Sequence, residues 1–174
     1  MENMEIRELI ASAESGDADA QCGLASCYYF GEGVKKDLAK AVFWYGKAAE
    51  SGQAVAQYNL GCCYYCGDGV ILNLNKATYW FERAAANGYA SAQIALGRCY
   101  MRGEGVELNF EKGFGYFKRA ADAGNAEAMG HLGNCYFCGY YVAADPAKAK
   151  EMWQRSAALG DECAKEALKE HFGI

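Results

Sequence analysis

The chain has 174 residues, including 31 alanines, 21 glycines and one proline, and a net charge of −5. A lone proline and the lack of a G-X-Y period exclude a proline-rich linker and collagen, and 52% hydrophobic residues are enough for a packed fold. The acidic balance argues against nucleic acid as a partner, and without a run of 18 apolar residues no membrane span is expected.

The first predicted element is a helix over Ile6–Ser15. Met1-Glu2-Asn3-Met4-Glu5 before it is acidic and lacks the basic start and apolar stretch of a secretory signal. Nine cysteines, an odd number, cannot all pair internally. Free thiols in a reducing cytoplasm are the expectation.

From Gly16 onward the chain is periodic. Gly16, Gly52, Gly88, Gly124 and Gly160 are each 36 residues from the next. The same spacing aligns Leu24, Leu60, Leu96, Leu132 and Leu168, then Tyr28, Tyr64, Tyr100 and Tyr136, then Lys40, Lys76, Lys112 and Lys148. This defines four units, 16–51, 52–87, 88–123 and 124–159. An N-terminal capping helix (1–15) and a C-terminal half-unit (160–174) flank them, and 1–174 reads as one repeat domain. Fixed periods of this length mark solenoids.

Each unit reads as helix, turn, helix. In the second unit Ala56, Leu60, Cys63 and Tyr64 share one helical face, and Ala77, Trp80, Phe81, Ala84 and Ala85 share another. Gly67-Asp68-Gly69-Val70 between them is a turn whose glycines permit positive φ. Asp37, Asn73, Asn109 and Asp145 are the expected N-caps of the second helices. The single proline, Pro146, falls just after Asp145, at a tolerated first helical position. The many alanines are read as contacts between closely packed antiparallel helices.

These columns resemble the Sel1-like repeat family, a branch of the tetratricopeptide-like solenoids. The second unit carries the match as Ala56, Leu60-Gly61, Tyr64, Gly67, Gly69-Val70, Lys76-Ala77, Trp80-Phe81 and Ala84-Ala85. The resemblance implies an all-α, right-handed superhelix of helix pairs, with the first helices lining its concave side. It implies an adaptor or scaffold and does not imply a catalytic site; no enzyme activity and no cofactor are expected. Tyr141 replaces the second turn glycine of the fourth unit, so that loop is expected to differ. Gly113 and Gly115 are expected to loosen the second helix of the third unit. The family's secreted, cysteine-rich branch carries disulfides at positions that match Ala49 with Gln57, Ala85 with Gln93 and Ala121 with Met129. Those bridges are therefore absent.

With the core columns assigned, function is sought where columns vary. A first-helix stripe holds Phe30, Asn59, Cys62, Cys66, Arg98, Arg102, His131 and Asn134, with Tyr29, Tyr65, Met101 and Phe137 beside it. The aromatic and Met side chains offer contact area for a peptide or protein segment, and Arg98 with Arg102, at i and i+4, would clamp a carboxylate. The bland reading, freely drifting solvated positions, is the better one for any single residue. Binding is favoured for the stripe as a whole.

Cys27, Cys63, Cys99 and Cys135 form a column read as core beside a buried tyrosine. Cys62 with Cys66, and His131 with Cys135 or Cys138, supply too few ligands for a metal site. His131 lacks an orienting acid and an oxyanion donor, and His171 sits near a frayed C-terminus. The alternative is a small-molecule-binding or hydrolytic protein of the penicillin-binding kind, linked through the resemblance to the secreted branch. The C-terminal helix carries Lys165, Glu166, Lys169 and Glu170 outward, so a monomer is expected.

Overall fold

The computed structural model of the protein describes residues 4–174, so residues 1–3 of the expected N-terminal cap lie outside the described residues. Among the described residues there are ten α-helices and no strand. The chain divides into two compact units, Met1–Tyr89 and Ala90–Ile174. The first holds α1 (Met4–Glu14), α2 (Ala18–Phe30), α3 (Leu38–Glu50), α4 (Ala54–Cys66) and α5 (Leu74–Ala86). The second holds α6 (Ala90–Arg102), α7 (Phe110–Asp122), α8 (Ala126–Cys138), α9 (Pro146–Ala158) and α10 (Glu162–Phe172).

The helix starts follow from their caps. Side chains of Asp37, Asn73, Asn109 and Asp145 accept the backbone N–H three residues on at 2.9–3.0 Å, opening α3, α5, α7 and α9. The turns before them are locked by backbone. The carbonyls of Cys27, Cys63 and Cys135 accept two turn N–H groups each, and those of Tyr28, Tyr64, Tyr100 and Tyr136 accept the N–H of the capping residue at 2.8–2.9 Å.

The fourth turn does not differ from the others, contrary to expectation. Tyr141 adopts φ +66°, the left-handed conformation of Gly33, Gly69 and Gly105, and the turn hydrogen bonds are unchanged. Gly69 is needed in its turn because a Cβ there would collide with the Leu38 backbone. Tyr141 is held by its hydroxyl, which donates to Glu111 at 3.1 Å, and by its ring, 5.6 Å from that of Phe114. The surroundings thus impose a conformation that tyrosine ordinarily avoids.

First and second helices pack through a glycine set against an aromatic ring. A Cβ on Gly61 would sit 2.6 Å from Phe81, and one on Gly97 or Gly133 would overlap Phe117 or Trp153. Phe81, Phe117 and Trp153 are 2–3% exposed as a result. In the first repeat Ala25 and Tyr45 hold these positions, both buried.

The tyrosine column is half-buried except for Tyr100. Each ring is covered by the lysine of its own repeat, Lys40, Lys76, Lys112 or Lys148, at 5.1–5.5 Å from the ring centre. In the cysteine column Cys63, Cys99 and Cys135 are buried, and burial pushes their thiols up to about 12, 11 and 12. Cys27 is only half-buried. The preceding helix, α1, has exposed Glu5 where α3 and α5 have the buried Ala41 and Ala77.

Nor do the glycines shorten α7, which spans the same 13 residues as its counterparts. Gly113 is a fitted contact: a Cβ there would lie 2.9 Å from Met101 and 3.0 Å from the Gly97 carbonyl. The C-terminal cap is docked too. His171 stacks 4.4 Å from Phe137 and 5.6 Å from Trp153.

A hydrogen bond occupies a position where the cysteine-rich branch is expected to have a disulfide. Gln57 is buried, and its amide donates to the Ala49 carbonyl at 3.1 Å while its oxygen accepts from Asn87 at 3.2 Å. Gln21 repeats the bond to Ala13 at 3.1 Å, but its buried Oε1 has no partner among the described residues. The position equivalent to Asn87 is Ser51, whose hydroxyl turns back to Lys47. Gln57→Leu is expected to lower the unfolding free energy by about 0.5–1.5 kcal/mol. Gln21→Leu should cost less, since it also removes a buried acceptor without a partner. Urea midpoints of the two variants measure the difference, and equal losses would contradict this account.

Candidate protein-binding site

The predicted stripe lies on α2 and α4 in the first unit and on α6 and α8 in the second. Tyr29, Phe30, Asn59 and Cys62 line one cleft of about 170 Å³ with Ser26, Tyr45 and Cys63. The Tyr45 hydroxyl is 3.0 Å from Ser26 Oγ and also bonds to the Asn59 side chain. The Tyr29 hydroxyl donates to Asp68, in the turn after α4, at 2.7 Å. Tyr65 is half-buried, 6.5 Å from the Phe81 ring, and Cys66 is exposed at the end of α4; neither lines this cleft.

In the second unit Arg98, Met101, Arg102, His131 and Asn134 come together around a cleft of about 370 Å³. Phe110, Phe117, Cys135 and Tyr140 complete its wall. His131 stacks on Phe117 at 4.5 Å and 16°, and Phe110 on Tyr140 at 5.2 Å and 22°. Arg98 and Arg102 are both exposed, and Arg102 is 3.9 Å from Glu104. The Asn134 carbonyl oxygen accepts from the Trp153 indole at 3.1 Å. Phe137 is placed elsewhere, packed on Trp153 at 5.4 Å and under His171. Sequence reasoning missed Phe110, Phe117 and Tyr140. Tyr140 carried a signal, because Glu32, Asp68 and Glu104 hold its position in the other units.

A second cleft, of about 500 Å³, adjoins His131 and Asn134 on their other side and reaches Asp161 and Cys163. It owes its depth to Gly130, where other repeats place Cys22, Tyr58 and Ile94. Asp161 fills part of that space, accepting from Ser156 at 2.6 Å and capping α10.

None of this assembles catalytic chemistry around His131. Its Nε2 is 3.7 Å from Glu127, and Cys135 is buried with its thiol pushed up to about 12, the reverse of an activated nucleophile. Among the described residues no group of three His, Cys, Asp or Glu side chains is arranged to hold a metal ion. None of the nine cysteines forms a disulfide. No described helix is long and apolar enough to cross a membrane.

This arrangement, helix pairs on a fixed period, defines a helical-repeat protein of the solenoid class. The family model of the Sel1 repeat matches residues 18–53, 54–89, 90–125 and 126–161, and the chain belongs to the Sel1 repeat family. Repeats of this family are typically protein-interaction scaffolds rather than enzymes. Among solved structures, a protective antigen of uropathogenic Escherichia coli with the SLR fold is 34% identical, with a TM-score of 0.92 over 97% of this chain. The chain spans only 36% of that antigen's length. A Sel1 repeat protein of Oxalobacter formigenes is 28% identical with a TM-score of 0.85, covering 96% of this chain and 75% of its own. Cysteine-rich protein B of Helicobacter pylori is 25% identical with a TM-score of 0.60, covering 79% of this chain and 99% of its own. No curated protein sequence gives a significant match. These findings give the small-molecule alternative no support.

His131 makes the second unit sensitive to acid. Burial holds its imidazole below the ordinary 6.5, and Arg98 pushes it further down, while Glu127 pulls the other way. The folded state therefore favours the neutral ring. The ring's contribution is complete above pH 6.5 and is lost as the pH falls toward the folded-state value, because the unfolded chain takes up the proton first. His131→Phe keeps a ring on Phe117 but cannot be protonated. It is expected to flatten the fall in thermal midpoint between about pH 7.5 and 5; an unchanged acid slope would count against this role.

Proposed function

We propose that the chain is a non-enzymatic interaction module that holds a peptide or protein segment along the face of its first helices. The supporting observation is that most of the variable stripe lines clefts on that face in both units. Phe30, 64% exposed, extends the apolar area of the first. Single exposed apolar residues need no explanation, but apolar side chains grouped around a cleft favour a binding surface. A polar outer face on α10, with Lys165, Glu166, Lys169 and Glu170 exposed, favours a monomer. Thiols without disulfides, and Gln57 bonded where a bridge would stand, favour a reducing compartment such as the cytoplasm.

The reading is tested by affinity purification with quantitative mass spectrometry on three forms of the full chain. One is wild type. The second carries Phe30→Ser, Arg98→Glu and Arg102→Glu on the first helices. The third carries Phe43→Ser and Tyr79→Ser, at exposed aromatic positions of α3 and α5. Partners of the wild type should fall at least tenfold with the second form and persist with the third. Partners lost only with the third form would move the binding face to the second helices.

A further inference from the structure

Within the second unit, the α6–α8 cleft differs from its α2–α4 counterpart in three ways that act together. The first is the missing lock. Tyr29, in the wall of the α2–α4 cleft, is tied by its hydroxyl to Asp68 in the turn after α4 at 2.7 Å, and that cleft measures about 170 Å³. The equivalent positions in the second unit are Met101 and Tyr140, which have no carboxylate between them, and the cleft measures about 370 Å³. The second is the lining. Gly113 replaces the alanine of other repeats and leaves room for the Met101 side chain, so an unbranched, adaptable thioether lines the same cleft as two stacked ring pairs, Phe117 with His131 and Phe110 with Tyr140. The third is charge. Arg98 and Arg102 stand on the rim where other first helices carry Ser26 and Phe30, Cys62 and Cys66, or Asn134 and Cys138. Arg102 is 3.9 Å from Glu104, but no carboxylate pairs with Arg98 among the described residues.

From this we infer that the α6–α8 cleft anchors an acidic segment of a partner protein. An apolar side chain enters between the ring pairs, and a neighbouring carboxylate meets the Arg98 guanidinium. The inference rests on the first-helix face being the binding face, and it adds the partner's chemistry. A guanidinium with no carboxylate paired to it among the described residues, at the edge of an apolar cleft, selects for an anion, because arginine forms planar, paired hydrogen bonds with carboxylates. A basic segment meets two like charges there and is rejected.

The probe is a random dodecapeptide library displayed on phage and selected on the full-length chain, with binding of the enriched peptides measured by fluorescence anisotropy. Selected peptides should carry Asp or Glu beside Phe, Leu, Trp or Met. Arg98→Glu should weaken them at least tenfold, and Arg98→Lys, which keeps the charge but loses the paired geometry, should weaken them by less than Arg98→Glu does. Met101→Tyr with Tyr140→Asp restores the pair that locks the α2–α4 cleft. It should fill the α6–α8 cleft and abolish binding without lowering the thermal midpoint. Peptides blocked by this closing variant but indifferent to Arg98→Glu, with no acidic enrichment, would overturn the inference and leave the binding face standing. Peptides indifferent to both variants and to Phe30→Ser, or a library yielding no binder, would fail the binding face along with it.

Discussion

The contact on which the rest of the structure depends is a small residue of a first helix, Ala25 in the first repeat and glycine in the other three, against an aromatic ring of the second. At Gly61, Gly97 and Gly133 even a methyl group would occupy ring atoms of Phe81, Phe117 or Trp153. Interiors pack as densely as organic crystals, so such a contact admits little adjustment. It draws the paired helices together at the ring and sets which flank of each first helix is buried. The alanines then close the seam above and below, where Ala77, Ala84, Ala120 and Ala149 are fully buried.

The ring that fills the glycine's place also decides what the first-helix face can offer. Tyr45 and Trp153 end in polar atoms, and each engages polar side chains of the first helices, Ser26 and Asn59 for one, Asn134 for the other. Phe117 has no polar end. It stacks on His131 instead, leaving an apolar floor bordered by Arg98 and Arg102. The chemistry of the α6–α8 cleft thus follows from one core residue and from the absence of a tyrosine–carboxylate lock beside it.

The repeat, the helix pairs and their caps are legible in the sequence because each is a local rule restated at a fixed interval. Asp37, Asn73, Asn109 and Asp145 announce helix starts whatever surrounds them. Departures from the period are less legible, because their outcome depends on contacts beyond the local sequence. Tyr141 in place of a turn glycine suggested a new loop, yet the backbone keeps its form because neighbouring contacts outweigh the strain at one residue. Gly113 suggested a loose helix, yet it is the space that Met101 occupies. The lysine column sat twelve residues from the tyrosine column with no local reason to connect them, and only the fold of the turn brings Lys76 over Tyr64. The first-helix stripe located Arg98, Met101, Arg102, His131 and Asn134, but Phe110, Phe117 and Tyr140 reach the same cleft from α7 and a turn, which helical spacing within α6 or α8 does not show.

Glycine and alanine at position 97 give a test that turns on sign. Alanine is the better helix former by about 1 kcal/mol, so without the ring contact Gly97→Ala would stabilise the protein. With the contact, the added methyl group must displace Phe117, and overpacking of this kind costs about 1–3 kcal/mol. The direct measurement is a double-mutant cycle of Gly97→Ala and Phe117→Leu by urea unfolding. Gly97→Ala is predicted to destabilise the wild type and to be neutral or stabilising in the Phe117→Leu background. Equal effects in both backgrounds, or a stabilised Gly97→Ala single variant, would contradict the claim that the glycine–ring contact governs the fold.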